Sequence, residues 1–308
     1  MASATLLLPA RDRFGAQRLT ADIAKALGRA DHGNVAGDQL ARVFDVLPRG
    51  WPVAAVTRQR DAGDAAISAW LRADPAYVRP DINGARLLAY GAALALTQEE
   101  CAELLRPLRP LFGDAGFTID APTPSRWYLR LPREAKLPVF AGPDEALGAD
   151  LFEHLPDGPE GRRWRALLSE AQVVLHNHPI NAQRAASGKP PVNSLWFWGA
   201  SVLPDHVRTS FTAILSDDDA VQAMAAVARV AVLPLTRWGT AGGDRAFDLR
   251  HIRDLALLQS DWIAPTLRDV RMGEIESLAL DFADGARFVI RSGQRWRFWR
   301  RPVRSLAA

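Results

Sequence analysis

The chain has 308 residues, 48% hydrophobic and 24% charged, enough apolar material for one large domain or two moderate ones. Its formal net charge of +3 is too small a bias to mark a nucleic-acid binder. The single cysteine, Cys101, excludes an internal disulfide and a cysteine-built zinc site. The N-terminus, MASATLLLPARDRF, lacks the basic and long apolar regions of a secretory signal, and no apolar run approaches the roughly 20 residues that span a bilayer. A cytoplasmic protein without membrane contact is expected.

Residues 4–8 form a short apolar run before Pro9, expected as a buried strand. Helical spacing follows over 17–30, with Leu19, Ile23 and Leu27 four apart. Asp38 is placed to cap a helix over 39–47. Residues 51–56 read as a strand, and 64–73 as a helix with Ile67, Trp70 and Leu71 on one side. The segment from Arg72 to Pro75 reads as an interruption. Short strands at 77–78 and 85–89 flank Asn83-Gly84, a hairpin signal. Together these elements give an α/β opening.

Thr97 and Glu100 make a capping box for a helix through Phe112, which Pro107 and Pro110 should kink or stop early. Strands are expected at 116–119 and 127–131. Residues 136–161 are rich in Gly and Pro and read as a loop or subdomain boundary. Asp217-Asp218-Asp219 opens a helix to Val227, with its acids where the helix dipole favours them. A buried strand over 231–235 and helices over 249–258 and 262–270 follow. The glycine-rich stretch from Trp238 to Asp244 lacks the P-loop and dinucleotide fingerprints and reads as a flexible loop. Alternation over 275–282, 287–291 and 295–300, with turns between, predicts a small C-terminal antiparallel β-meander of three strands. Its last part, Arg295 to Arg301, interleaves arginines with aromatics. That pattern suits single-stranded nucleic acid or, more commonly, an amphipathic strand.

The stretch from Trp164 to Pro204 is the richest in chemistry. A helix ends near Asn177 because Pro179 restricts His178, and Pro179 suits the start of a second helix. The N–H groups of Ile180, Asn181 and Ala182 would then face an anion beside His178, with Arg184 one turn on and Lys189 after the Gly188 break. The same pattern also describes an ordinary helix start. His176 and His178 are two apart, a poor spacing for a metal on one helix face, and no third ligand is evident. Either suits acid–base work, because imidazole titrates near neutrality. In the strand over 192–198, Asn193, Leu195 and Phe197 share one face and Ser194, Trp196 and Trp198 the other. Ser194 lies outside a Gly-x-Ser-x-Gly elbow. The candidate ligand-binding residues are therefore His176, His178, Asn181, Arg184, Lys189, Asn193 and Ser194, with no metal ligand and no cofactor expected.

Three blocks carry a family resemblance: Trp70 to Pro75, Arg126-Trp127-Tyr128-Leu129, and His178-Pro179-Ile180-Asn181-x-x-Arg184-x-x-x-Gly188-x-x-x-Val192-Asn193-Ser194-Leu195-Trp196-x-Trp198-Gly199. They resemble the RpfE-type regulatory proteins of bacteria, relatives of cofactor-independent phosphoglycerate mutases, over roughly Leu6 to Pro204. The last block also looks like a segment of archaeal-type mutases, matched at Gly188, Lys189, Pro191 and Asn193. The resemblance implies an α/β, alkaline-phosphatase-like core. Mutases of that superfamily use a serine nucleophile and two divalent metals, held by Asp and His clusters near the chain's start and end. Here the first strand leads into Pro9-Ala10-Arg11-Asp12, and no late Gly-His or Asp-x-His pair follows.

The expectation is thus a degenerate relative. It comprises a mutase-like domain over 1–272, with an inserted subdomain around 75–160, and the meander over 273–308. The expected role is regulatory binding of a small anionic ligand, with a metal-dependent mutase or phosphatase as the alternative and a nucleic-acid or protein-binding module as the third. The weak net charge disfavours nucleic acid; a protein partner stays open.

Overall fold

In a computed structural model, which describes residues 2–82, 84–239 and 242–307, the chain separates into two compact units. One is built from two chain segments, 1–49 and 205–308; the other is the continuous segment 50–204. This division differs from the expected 1–272 and 273–308.

The strands in chain order are β1 (Ser3–Leu8), β2 (Asp31–Asn34), β3 (Asp45–Leu47), β4 (Ala69–Asp81), β5 (Gly84–Tyr90), β6 (Thr118–Thr123), β7 (Arg126–Leu131), β8 (Ser194–Val202), β9 (His206–Arg208), β10 (Ala213–Leu215), β11 (Ala231–Leu233), β12 (Arg245–Asp248), β13 (Ser277–Phe282) and β14 (Ala286–Arg291). The helices are α1 (Ala21–Arg29), α2 (Gln39–Val43), α3 (Val53–Ala62), α4 (Gln98–Asp114), α5 (Pro143–Ala146), α6 (Gly158–His176), α7 (Ile180–Ala186), α8 (Asp219–Val227), α9 (Leu255–Leu258) and α10 (Ala264–Met272).

The two-segment unit is built on a seven-stranded sheet, ordered β11-β10-β12-β1-β13-β14-β2. Its first five strands run parallel, and β14 is antiparallel to both β13 and β2. Leu6, Leu8, Leu278, Leu280 and Phe282 are buried here with Ile23, Leu27, Trp262 and Leu267 from the flanking helices. The mixed α/β class expected from the sequence is present, as is the antiparallel β13–β14 pair. The third meander strand is not. Residues Ser292–Trp296 form a 3-10 turn, and the edge beside β14 is taken by β2, from the far N-terminal part of the chain. The tail instead crosses α1, where the Val303 N–H donates to the Ala24 carbonyl at 3.0 Å. Strand β11 is an exposed edge rather than a buried strand.

The continuous unit carries an antiparallel sheet in which the long β4 pairs with β5, β7 and β8, and β6 pairs with β7. Two expectations are corrected here. Residues 51–56 open a helix, α3, and the second half of 64–73 belongs to β4. All eight residues from Ala69 to Ala76 are buried, so β4 is covered on both faces and shows no alternation to read. The supposed interruption at Arg72–Asp74 lies mid-strand. Asp74 accepts both forks of Arg72 at 2.9 and 2.7 Å, the indole N–H of Trp198 at 2.8 Å and the Trp127 N–H at 3.3 Å, so both its oxygens have partners, although burial still holds the carboxyl above its ordinary value.

Helix α4 has the expected capping box but continues through Pro107 and Pro110 to Asp114. The carbonyls those prolines leave unpaired belong to Glu103 and Arg106, neither of them buried, where water can serve them. The expected turn at Asn83-Gly84 and the glycine-rich loop 238–244 lie in part outside the described residues, although β4 and β5 do pair as a hairpin.

Candidate functional site

The residues singled out in the sequence all lie on α6, α7, β8 and their connections, and most of their polar atoms bond within the protein. Helix α6 ends at His176, which is exposed. His178 Nδ1 accepts the Ile180 N–H at 3.3 Å, the His178 carbonyl accepts the Asn181 N–H, and the Pro179 carbonyl accepts the Ala182 N–H, both at 3.1 Å. The three donors expected to face an anion are therefore occupied. The helix they begin, α7, has only seven residues.

Asn181 spans the connection to β8. Its amide nitrogen donates to the Leu175 and Val192 carbonyls at 2.8 and 3.0 Å, and its oxygen accepts the Val192 N–H at 2.8 Å. Arg184 is buried and donates to the Pro190 carbonyl, Glu100 and the Leu94 carbonyl at 3.0, 2.7 and 2.6 Å. Lys189 Nζ stands 3.8 Å from the same carboxylate. Asn193 acts as an extra strand rung. Its side chain accepts the Val78 N–H at 2.8 Å and donates to the Val78 carbonyl at 2.7 Å. Ser194 is buried and accepts from Gln172 at 3.0 Å. Asn181, Arg184 and Lys189 are thus brought together around the α7–β8 loop. Asn193 pins β8 to β4, Ser194 pins it to α6, and His176 joins neither group. The arrangement holds a fold together.

A second constellation lies in the two-segment unit, at the carboxyl ends of the parallel strands, where ligands of open α/β sheets bind. Asp248 ends β12 and is buried. It accepts Arg250 Nε at 2.7 Å, Arg250 Nη2 at 2.8 Å and the Ser216 hydroxyl, just past β10, at 2.8 Å. Burial pushes the Asp248 carboxyl up, but the Arg250 bonds and charge outweigh it and hold the carboxyl below its ordinary value. Arg250 also reaches Asp218 at 3.2 Å, and Asp218 caps α8 through the Ala220 and Val221 N–H groups.

On β13, buried Asp281 accepts Arg42 Nη2 at 2.6 Å, with Arg287 Nε 3.9 Å away. Gln39 donates to the Leu8 and Asp281 carbonyls at 3.1 and 2.6 Å, which ties α2 to the ends of β1 and β13. The Gln39 Oε1 and Arg287 Nε atoms are buried without a hydrogen-bond partner. Asp284, just past β13, takes Arg11 at 2.7 Å. Sequence reasoning took Asp218 only as part of an acidic helix start and passed over Asp248, Asp281 and Asp284, because each is a lone acid after a short apolar run. The repeated pattern of an acid at a strand's end was the available signal.

Among the described residues, no three His, Cys, Asp or Glu side chains are grouped so as to hold a metal ion. No helix among them is long and apolar enough to cross a membrane.

No family model matches the chain. It is 34% identical over 96 residues to a probable 2,3-bisphosphoglycerate-independent phosphoglycerate mutase of Geobacter sulfurreducens, a stretch covering 30% of this chain and 24% of that protein. It is 39% identical over 62 residues to the mutase of Methanosarcina barkeri, covering 20% and 16%, and 26% identical over 113 residues to that of Methanothrix thermoacetophila, covering 37% and 28%. The matches thus span little more than a quarter of these relatives at most. Among solved structures, a cofactor-independent phosphoglycerate mutase from Thermoplasma acidophilum aligns over 94% of this chain and 89% of its own at 12% identity, with a TM-score of 0.43. A protein from Pyrococcus horikoshii aligns over 94% and 87% at 13% identity, with a TM-score of 0.46. The chain is similar in sequence, over a limited stretch, to phosphoglycerate mutases.

Proposed function

We propose that the chain is a phosphoglycerate-mutase-like protein with an alkaline-phosphatase-like core, which binds a small phosphorylated anion in a regulatory role, as in the RpfE-type proteins, and does not transfer phosphate. The observation that carries this is the clamp of Arg250 on Asp248. A two-metal centre needs carboxylates and imidazoles whose lone pairs converge on the ions. Here both oxygens of Asp248 are bonded to a guanidinium, and Asp281 is answered by Arg42. This pairing of the carboxylates with arginine argues against such a centre. The side chains of Arg250, Arg11 and Arg287 stay partly exposed at the sheet's carboxyl edge, where a phosphate would meet them. The His178–Gly199 block supports the kinship; its side chains serve the fold.

A metal-dependent mutase or phosphatase is the second reading, favoured by the names of the relatives. One experiment separates the two. Purified protein is given 3-phosphoglycerate and a panel of other phosphorylated metabolites, with and without Mn²⁺ or Mg²⁺, and both thermal midpoint and turnover are followed. The expected result is stabilisation by about 2.7 kcal/mol at a ligand concentration near 100 times Kd, without turnover, and loss of that stabilisation in Arg250→Lys. Metal-dependent conversion to 2-phosphoglycerate, or release of phosphate, would establish the second reading instead. Absence of any ligand-induced shift would remove the binding role.

A further inference from the structure

The chain's small net charge conceals a strong local one. After Asp284 come seven arginines and no acid. Strand β14 pairs Arg291 with Ser277, the first residue of β13, so it exits at the amino edge of the parallel strands, at the opposite end from Asp248. There a cleft of about 150 Å³ opens among α1, α10, β14 and the turn Ser292–Trp296. Its lining includes Leu267, Val270 and Ile290, and Lys25, Arg29, Arg271, Arg291 and Arg295 line it against a single acid, Asp22. Arg291 is paired with Asp31 at 2.9 Å. Lys25, Arg29, Arg271 and Arg295 form no ion pair among the described residues. Cations that outnumber their counter-charges repel one another, and a bound polyanion relieves that cost.

Beside this cleft three aromatic rings stand in water: Trp296 is 66%, Phe298 78% and Trp299 69% exposed. Three large apolar side chains within four residues form an unusually dense exposed patch. The Arg295 guanidinium, itself part of the cleft wall, lies 5.1 Å over the Trp296 ring, and Phe298 meets Trp299 edge-on at 5.5 Å. The backbone carrying the rings is anchored at both ends. Arg29 donates to the Arg295 carbonyl at 2.9 Å, and the Val303 N–H bonds to α1.

We propose that this face binds single-stranded nucleic acid, with phosphates in the cationic cleft and bases stacked on Trp296, Phe298 and Trp299. A positively charged groove beside open ring faces is what sequence-tolerant binding of single strands requires. Four of the five cleft cations are arginines, whose planar forks match phosphate oxygens. A flexible strand can turn its phosphates into a recess, whereas a bilayer presents its phosphates in a plane. This site is separate from the ligand site proposed above and does not depend on it.

The test is fluorescence anisotropy of a labelled oligothymidylate of about 12 nucleotides, titrated with the full chain at several salt concentrations. Wild-type protein binds at low salt, and its affinity falls as salt rises. Trp296→Ala with Trp299→Ala weakens binding at least tenfold at an unchanged thermal midpoint. Lys25→Glu with Arg271→Glu weakens it and flattens the salt slope by roughly 0.7 for each phosphate no longer neutralised. No binding at low salt overturns the proposal, as does equal binding by the aromatic variant, which would indicate a nonspecific polyanion effect. Sedimentation with phosphatidylserine vesicles that depends on the same rings, without competition by the oligonucleotide, would assign the face to a membrane surface instead.

Discussion

Glu100 and Arg184, 84 residues apart in the chain, meet at 2.7 Å through the carboxylate oxygen that also accepts the Thr97 N–H and so closes the N-terminus of α4. One carboxylate thereby finishes a helix and holds the loop that carries the family resemblance. The remaining donors of Arg184 take the Pro190 and Leu94 carbonyls, so the buried guanidinium bonds to three separate segments.

Arg184→Ala leaves Glu100 and two carbonyls without their partner. A loss of about 3–5 kcal/mol is expected in urea unfolding, and Arg184→Lys recovers only part of it because an ammonium cannot match the planar fork. Cys101, the next residue after Glu100, gives a second readout. Burial pushes its thiol up to about 11, so it resists thiol reagents in the native protein and should react faster in the alanine variant. A cost below about 1 kcal/mol would mean that Arg184 is not a clamp and is free to serve a ligand.

Gly199 lies within β8 at φ +67°, and a Cβ built there would stand 3.1 Å from Val53 Cβ on α3. A glycine closing an aromatic strand can mark the strand's end or a close approach to the backbone. What approaches is a helix of the same unit. Gly199→Ala should cost about 1–2 kcal/mol for the left-handed backbone alone, with crowding added. A urea midpoint equal to wild type would show that α3 and β8 can separate without penalty.

The Asp248–Arg250 clamp predicts an acid dependence. The Asp248 carboxyl is held below its ordinary value in the folded protein, so its contribution is fully present above the ordinary carboxylate range and is lost as pH falls through the folded value. This contribution should stay constant between about pH 7 and 5 and decline below about pH 4. Asp248→Asn is less stable near neutrality, and its deficit narrows in acid. Urea midpoints taken across that range check the sign. A deficit that stays constant down to about pH 3 would show that the carboxylate's charge does not matter.

Much of the local structure was legible. Asp38 does cap α2, accepting the Leu40 and Ala41 N–H groups, and Thr97 with Glu100 closes the start of α4. Asp218 is the cap within the triple-aspartate run. These signals act within one helical turn, so neighbouring residues suffice to set them. Strand β4 and helix α3 were misassigned because a run buried on every side has no periodicity that separates helix from strand. The third meander strand failed for a different reason. Its alternation was real, but β2 took the edge position, and no window on residues 292–300 contains β2.

The candidate site shows the same contrast. The sequence by itself determined that residues 176–199 combine a helix break, a short second helix and an aromatic strand, because Pro179, Gly188 and the period-two pattern are local constraints. It also supplied the arginines that follow Asp284. Only the tertiary structure decided which polar atoms are left to meet a ligand. Asn181, Arg184 and Asn193 bond to groups on other elements, and Asp248 and Asp281 come to one sheet edge from separate strands. A side chain's availability is set by its long-range partners, and hydrogen bonds to elements far along the chain do not register in the spacing of its neighbours.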